Sequence, residues 1–304
     1  MCPDDICPHM SKAIGEAVDL DTESVEPADA FAMLGNDHRM DILHALWARD
    51  SEPVAFSDLY RDVDLEDSAQ FNYHLEKLTT HFVRRTDEGY ALRRAGEKVV
   101  QAVLAGSFTQ HPRREIAIND SCVRCDEELN AVYEDEVLAI ECPSCGHGHG
   151  EYPFPPGGLN DRTDEEILAA FDQRVRHLHC LAKDGVCPEC NGRMRTTIVE
   201  EGECCLGVSI RADHRCDQCA HELCSAPGLG ILDSATAVAF YRDHGIDISS
   251  TPYWQLPWCV SDHEISIRSR DPWLLDIQLS AADEALTVTL DESLIVQSTT
   301  QTNQ

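Results

Sequence analysis

Lysine is scarce in this 304-residue sequence, and long hydrophobic runs are absent. Among 24 basic residues the only lysines are Lys12, Lys77, Lys98 and Lys183, whereas 55 residues are acidic. No stretch approaches the roughly 18 to 20 apolar residues of a membrane-spanning helix, and the acidic N-terminal stretch lacks the basic and apolar regions of a secretory signal. The sequence therefore predicts a cytoplasmic protein with no membrane association.

Recognisable catalytic motifs are also missing. No nucleophile paired with a base and no phosphate-binding loop stands out, so the sequence predicts a protein that is not an enzyme. The formal net charge of −31 resembles the acidic surfaces of extreme halophiles. Such a charge ordinarily disfavours a polyanionic partner.

The acidic excess is interrupted in one segment. Residues 28–67 carry three basic and ten acidic side chains, whereas residues 68–98 carry six basic and four acidic ones. A net positive segment in so acidic a chain indicates a surface that meets something negative. Double-stranded DNA is the partner that we predict for it.

Residues 28–68 have the apolar spacing and the N-cap residues of several short helices. From Ala28 the apolar residues follow helical spacing, and Asn36 is a fitting N-cap for a helix over Asp37–Arg49. We predict that Ser57 caps the next helix and Ser68 the one after it. Residues 1–27, rich in acids, are predicted to form a disordered arm.

The helix that begins near Ser68 has one apolar face. Phe71, Leu75 and Leu78 are spaced at i, i+4 and i+7, which predicts that they pack into a core. Amide and hydroxyl groups can bond base edges, and a helix N-terminus favours phosphate. The side chains left for DNA are Ser68, Gln70, Asn72, Tyr73 and Lys77.

A basic hairpin is predicted to follow this helix. Phe82–Thr86 and Tyr90–Arg94 have strand composition, and Gly89 supplies the positive φ of a short turn. A basic hairpin beside a DNA-reading helix suits phosphate contacts. The arginines on it are Arg84, Arg85, Arg93 and Arg94. Another helix is predicted over 96–105.

These strings resemble a known family. AFAMLGNDHRMDILHAL (30–46) looks like the opening helices of ArsR-like winged helix-turn-helix regulators, and SAQFNYHLEKL (68–78) like their recognition helix. FVRRTDEGYALRRAGEKV (82–99) resembles the wing and last helix of haloarchaeal versions. The resemblance implies transcriptional control, a homodimer formed through the first and last helices, and base contacts from Ser68, Gln70, Asn72 and Tyr73. Metal-sensing members carry Cys-x-Cys before the recognition helix, where this chain has FSDLYRDVD, so thiolate sensing is not expected there.

Cysteines in the rest of the chain form two sets with zinc-ligand spacing. The first quartet is Cys122, Cys125, Cys142 and Cys145. Its two Cys-x-x-Cys pairs are sixteen residues apart, as in zinc ribbons, and the predicted strands Leu129–Tyr133 and Val137–Ile140 join them. Because four thiolates complete a tetrahedral Zn²⁺ site, His147 and His149 are expected to be exposed loop residues.

The second quartet is Cys187, Cys190, Cys216 and Cys219. Twenty-five residues separate its pairs, so a longer hairpin, from Met194–Val199 and Leu206–Arg211, is predicted to close it, although Cys180 or Cys224 could replace a member. Saturated tetrathiolate sites have no open position, so both zinc ions are predicted to be structural. No role is assigned to the remaining cysteines, Cys2, Cys7, Cys180, Cys204, Cys205, Cys224 and Cys259. Cys2 and Cys7 lie in the predicted arm, and most of the other five are predicted to be small buried apolar residues.

The C-terminal region mixes helix and strand patterns. Helices are predicted over Glu165–Ala182 and Ser234–His244. Strands are predicted over Glu264–Ile267, Leu274–Leu279, Ala285–Leu290 and Leu294–Val296. The aromatic residues Tyr253, Trp254, Trp258 and Trp273 are predicted to pack in a core there. The region is a candidate surface for a protein partner or an effector.

The predicted fold class is α+β: a winged helix-turn-helix, two zinc-ribbon-like modules and a mixed α/β C-terminal region. The predicted domains are the arm 1–27, the DNA-binding domain 28–106, the first ribbon 115–152, a helix with the second ribbon 160–229, and the C-terminal region 230–304. The function predicted is that of a DNA-binding transcription regulator. Two alternatives stay open: a basal factor like archaeal TFIIE-alpha, which acts through protein contacts, and a thiol redox or metal-responsive switch.

Overall fold

The structure, a computed structural model, describes residues 25–49, 53–200 and 206–303. It divides into two compact units, whose described parts are 25–110 and 111–303, here called the N-terminal and C-terminal units. Nearly all of the predicted acidic arm, together with Cys2, Cys7, Cys204 and Cys205, lies outside the described residues. No helix in the described ranges combines the length and apolar character needed to cross a bilayer.

The N-terminal unit is helical with one hairpin. Its elements are α1 (Pro27–Leu34), α2 (Asp37–Trp47), α3 (Phe56–Asp62), α4 (Ser68–Thr79), β1 (Val83–Thr86), β2 (Gly89–Leu92) and α5 (Arg94–Leu104). The two strands pair antiparallel around a turn that contains Gly89. α2, α4 and the hairpin enclose the core, in which Phe71, Leu75 and Leu78 of α4 are fully buried, as their spacing predicts.

One helix cap was predicted correctly and two were not. The Asn36 side chain accepts a hydrogen bond from the backbone N–H three residues later, at 3.3 Å. The predicted caps Ser57 and Ser68 are wrong, because both serines already lie inside helices. Asp67 caps α4, where its carboxylate accepts the N–H of Ala69 at 2.8 Å. A carboxylate gains more at a helix N-terminus than a hydroxyl does, since it also interacts with the helix dipole.

Arg93 and Arg94 were placed on the hairpin, and this prediction is wrong. β2 ends at Leu92, Arg93 is the N-cap of α5, and Arg94 is its first residue. The backbone N–H of Arg93 donates to the carbonyl of Phe82 at 2.8 Å. This bond closes the base of the hairpin, and α5 begins at the next residue. The two arginines therefore lie at the base of the hairpin and not along its strands.

The C-terminal unit contains three antiparallel sheets among its described residues. The first sheet has β3 (Arg114–Ser121), β4 (Glu128–Glu134), β5 (Val137–Glu141) and β6 (Gly148–Pro153), and the second has β7 (Met194–Glu200), β8 (Ile210–Cys216) and β9 (Glu222–Ser225). The third has β10 (Ile265–Arg270), β11 (Trp273–Ala281), β12 (Glu284–Asp291) and β13 (Val296–Asn303). The helices are α6 (Asp164–Lys183), α7 (Ala235–Asp243) and α8 (Pro257–Val260). The fold class is therefore α+β, as predicted.

The strand predicted over Leu206–Arg211 is wrong in position. The partner of β7 is Ile210–Cys216, whose last residue pairs with Met194. Leu206 is buried in the preceding loop, and its apolar character suggested a strand. Because β8 begins later in the chain than predicted, it ends at Cys216, a member of the second quartet.

The three sheets and α6 share one hydrophobic core. Tyr253, Trp254 and Trp258 are almost fully buried in it, and Trp273 packs against its edge. The predicted aromatic core is thus present. The ribbon-like hairpins do not have small cores of their own, because Phe171 and Val175 of α6 belong to the same buried cluster as residues of the first and second sheets.

Candidate metal centres and nucleic-acid interface

Both predicted quartets are brought together. Within each, the four Sγ atoms lie within 4.8 Å of one another. In the first quartet Cys122 Sγ is 3.7 Å from Cys145 Sγ, and the second quartet repeats this distance between Cys187 and Cys219. A tetrahedral site with Zn–S bonds of about 2.3 Å places its sulfurs about 3.8 Å apart. The quartets can therefore bind metal ions such as zinc without rearrangement.

One backbone turn positions the cysteines and occurs four times. At Cys122 the carbonyl accepts the N–H of Asp126 at 2.9 Å, while the Cys122 N–H donates to the carbonyl of Glu127 at 2.8 Å. Equivalent bond pairs surround the first cysteine of each of the other three Cys-x-x-Cys segments. The residue after the second cysteine always has positive φ: 61° at Asp126, 71° at Gly146, 59° at Asn191 and 57° at Ala220.

The same turns direct backbone N–H groups at sulfur. The N–H of Arg124 lies 3.4 Å from Cys122 Sγ, and that of Gly192 lies 3.3 Å from Cys190 Sγ. At Cys142 and Cys216 burial raises the pKa, but hydrogen bonds from the backbone and from neighbouring cysteines outweigh it and lower the pKa to about 7. At Cys125 and Cys219 a backbone hydrogen bond also lowers the pKa, but burial and the neighbouring thiols raise it to about 12. Because the thiolate is the form that binds metal, the turns favour ligation.

The unassigned cysteines do not join the quartets. Cys180 is exposed on α6, contrary to the expectation of burial, and Cys259 is buried as expected. Cys224 lies half-buried on β9. The predicted ligand sets thus need no replacement by Cys180 or Cys224.

The predicted DNA-contacting residues of α4 lie on the face opposite the core. Ser68, Gln70, Tyr73 and Lys77 are exposed, and the Lys77 ammonium lies 5.7 Å from the centre of the Tyr73 ring. Asn72 is half-buried, and its amide donates to the Glu76 carboxylate at 3.0 Å. Asn72 is therefore engaged by its own helix, whereas Gln70 has no such partner in the described part of the chain.

The four arginines differ in their surroundings. Arg84 and Arg85 are exposed on β1, and the Arg85 guanidinium lies over the Tyr90 ring at 5.9 Å. Arg93 donates through Nε to the carbonyl of Val83 at 3.3 Å. Arg94 pairs with Glu97 of its own helix at 2.6 Å. Among the described residues only Arg94 of the four is paired with a carboxylate, Arg93 donates to a backbone carbonyl, and Arg84 and Arg85 make neither contact.

Two families match the sequence. Residues 119–296, more than half of the chain, match the family described as domain of unknown function DUF7351. The chain belongs to the DUF7351 family. Residues 27–103 match a second family, domain of unknown function DUF7347. No curated protein and no solved structure matches the chain. All eight quartet cysteines lie within the DUF7351 match.

The DUF7351 region buries the two histidines that were expected to be exposed. His147 is 5 % and His149 0 % exposed, so this prediction is wrong. The His147 Nε2 lies 3.1 Å from the carbonyl of Val260, and the His149 Nδ1 lies 3.3 Å from that of Trp254. These contacts come from residues more than a hundred positions away, so no local pattern could reveal them.

His149 also touches the first quartet. Its Nε2 lies 3.4 Å from Cys122 Sγ. Burial lowers the pKa of His149 to about 4, so the ring is neutral at physiological pH. A neutral ring has one N–H, so His149 can donate either to the Trp254 carbonyl or to the Cys122 sulfur. The tautomer that donates to sulfur would orient this ligand in the manner of the outer partners that hold ligand geometry at metal sites. The sequence signal for it is the alternation of GHGHG, which fits a strand better than a loop.

Replacing Ala220 by glycine is expected to stabilise the C-terminal unit by about 1 kcal/mol. Among the four left-handed positions of these turns, Ala220 alone is neither glycine, aspartate nor asparagine. Glycine would remove a left-handed backbone strain of about 1 to 2 kcal/mol, which exceeds the cost of the entropy that glycine adds to the unfolded chain. Denaturant unfolding of the metal-loaded protein measures it. Ala169→Gly, on the exposed face of α6, is the matched control and should destabilise by about 1 kcal/mol. If both variants changed the free energy of unfolding in the same direction, the strain inferred at Ala220 would be contradicted.

Proposed function

We propose that the protein is a DNA-binding transcription regulator whose N-terminal unit is a winged helix-turn-helix and whose two quartets hold structural zinc. One observation carries the proposal: the exposed face of α4 is followed directly by a hairpin that carries the exposed arginines Arg84 and Arg85. If α4 binds in the major groove, these arginines would lie beside the groove and contact phosphates.

The packing of α4 supports its role as the reading helix. Because Phe71, Leu75 and Leu78 are fully buried, the helix cannot rotate, and Gln70 and Tyr73 must face solvent. A glutamine amide can bond adenine through two hydrogen bonds. Glutamine at this position is suited to reading base sequence.

Charge supports the hairpin as the phosphate-binding element. The segment 68–98 is net positive within a chain of net charge −31. The acidic remainder of the chain repels DNA, so DNA must approach the protein at this segment. Arg84 and Arg85 are free of carboxylate partners in the described structure, and their charges are available to phosphate.

The first and last helices of the N-terminal unit support a homodimer. α1 buries none of its residues, and Phe31 in it is 72 % exposed. Leu104 at the end of α5 is 54 % exposed, and Phe108 just beyond it is 69 % exposed. Apolar side chains left in solvent on these two segments are suited to pairing with a second copy, which would place two α4 helices against two DNA half-sites.

The donor sets support zinc in a structural role. Four thiolates suit Zn²⁺, and with all four positions occupied by protein no site is left for a reacting water. Bound zinc would supply a fixed tetrahedral link between the two turns of each quartet. The chain's part is to hold the thiolates with backbone N–H groups and, at the first quartet, with His149.

Replacing Arg84 and Arg85 together by alanine is expected to weaken binding to every duplex and to lower the salt dependence of binding. Loss of phosphate contacts should reduce the slope of log K against log salt by about one to two. Titration of fluorescent duplexes at several salt concentrations measures this. Arg61→Ala is a control of the same chemistry, since Arg61 is exposed on α3 and paired with Asp58. An unchanged slope in the double variant would show that the hairpin does not touch DNA.

Gln70→Ala is expected to relax sequence preference. Its effect should be about 1 to 3 kcal/mol on the preferred duplex and much smaller on random DNA, because only base contacts are lost. The preferred duplex comes from selection of random oligonucleotides by the full-length protein. The control is Gln278→Ala, at an exposed glutamine of β11 in the C-terminal unit. Equal losses on both duplexes would favour a general factor that does not read sequence.

A further inference from the structure

A polar cavity of about 220 Å³ lies beside the first quartet, within the C-terminal unit. Four segments form it: the first cysteine turn with Arg124, the start of β6 with His147, the loop before β8 with Ser209, and the turn between α8 and β10 with Asp262 and His263. None of the cavity's charged groups ligates the quartet. The cavity therefore has no part in the metal sites.

His147 forms one wall of this cavity. Its Nε2 faces a carbonyl oxygen and so carries a hydrogen, which leaves Nδ1 as a hydrogen-bond acceptor in the neutral ring. Nδ1 is buried and has no hydrogen-bond partner among the described residues. Because this atom has almost no accessible surface, the ring forms a wall of the cavity and is not a contact for a ligand in it.

Arg124 and Asp262 place opposite charges at the same cavity. The Arg124 side chain makes no hydrogen bond or ion pair within the described ranges, and only its backbone N–H contacts the quartet. Asp262 uses one carboxylate oxygen to accept the N–H of Ser209 at 2.6 Å. The other oxygen is available to a ligand. A guanidinium and a carboxylate that do not pair with each other can each bind one end of a dipolar molecule.

We propose that this cavity binds a small zwitterion of the α-amino acid class. The ligand's carboxylate would pair with Arg124, with His263 beside it, and its ammonium would donate to Asp262. A simple anion would be repelled by Asp262. A metal ion would meet the charge of Arg124, and Asp262, His147 and His263 do not form a ligand cluster in the described structure. The site does not depend on the DNA-binding proposal.

Calorimetric titration of the full-length, metal-loaded protein tests the proposal. The probes are the common L-amino acids, each at millimolar concentration, with propionate and ethylamine as analogues that lack one charged end. At least one amino acid should bind with one ligand per chain, and its binding should exceed that of either analogue at least about tenfold.

Two variants assign the site. Arg124→Ala and Asp262→Asn should each weaken the binding at least about tenfold, and asparagine keeps an acceptor for the Ser209 N–H. Arg193→Ala, an exposed arginine beside the second quartet, is the matched control and should bind as the unchanged protein does. Absence of binding by every amino acid would overturn the proposal. So would equal binding of propionate or inorganic phosphate, or a third zinc equivalent that is lost in Asp262→Asn.

Discussion

Replacing Cys122 by serine is expected to remove at least one zinc ion per chain and to unfold the C-terminal unit, while the N-terminal unit keeps its fold. Binding of zinc to a tetrathiolate site contributes on the order of 10 kcal/mol, which is comparable to the whole stability of a domain. Cys122 is fully buried and supplies both a ligand and a contact to His149. A serine hydroxyl replaces neither.

The loss should spread beyond the first quartet because the core is shared. Tyr152 and Phe154, on or next to β6, pack against Phe171 of α6, with ring centres 6.3 Å and 5.9 Å apart. α6 in turn contacts β7, whose first residue, Met194, pairs with Cys216 of the second quartet. The three sheets should therefore unfold together, in one transition.

Metal analysis and calorimetry measure this result. Two zinc ions per chain are expected in the unchanged protein and in Cys180→Ser, which removes an exposed thiol outside the quartets. The Cys122→Ser protein should have one or none and should lack the transition of the C-terminal unit. Circular dichroism should still show a helical transition from residues 25–110. Retention of two zinc ions and an unchanged transition would contradict the structural role.

A second outcome would reassign the metal sites. If zinc removal reversibly switched DNA binding while the C-terminal unit stayed folded, the quartets would be sensors. The four-thiolate donor sets argue against this. A sensor must keep a defined fold when the metal is removed, whereas loss of zinc from these sites is expected to unfold the C-terminal unit. Redox switching requires free thiols, and a full complement of two zinc ions would leave none in the quartets.

Local sequence was sufficient to predict the quartets and most helices. Cys-x-x-Cys spacing fixes the turn geometry within six residues, and Asn36 caps α2 through an atom three residues away. Such features depend on neighbours in the chain, so they are visible in the sequence. The cap at Ser68 failed because the adjacent Asp67 competed for the same role and had the greater electrostatic gain. The cap at Ser57 failed because α3 begins one residue earlier, after Ala55, which makes no side-chain cap bond.

Long-range packing explains the features that the sequence did not predict. His147 and His149 are buried by Val260 and Trp254, which are distant in the chain. The register of β8 is set by pairing with β7 across a long loop, and the apolar Leu206 marks burial and not a strand. Arg176 is another example, because a helical arginine ordinarily indicates a solvent-exposed face.

Arg176 is instead the centre of a buried ionic network. It is 4 % exposed, and its Nε donates to Asp172 one turn earlier on α6 at 2.8 Å. Its two other nitrogens reach Asp233 at 3.1 Å and the carbonyls of Ile248 and Thr251. The guanidinium thus binds the segment before the aromatic residues of the core to α6.

Arg176→Met is expected to destabilise the C-terminal unit by about 3 to 5 kcal/mol, since it leaves the buried Asp172 carboxylate without its cation. Denaturant unfolding measures the change, and Arg195→Met is the control: its pair with Asp217 is exposed, so solvent screening should leave the midpoint nearly unchanged. Adding Asp172→Leu to Arg176→Met should recover part of the loss, because no unpaired charge then stays buried. The carboxylate also accepts the backbone N–H of Tyr253 at 2.8 Å, so recovery should be incomplete. If the single and double variants lost equal stability, packing of the arginine stem, and not its charge, would be what stabilises the segment.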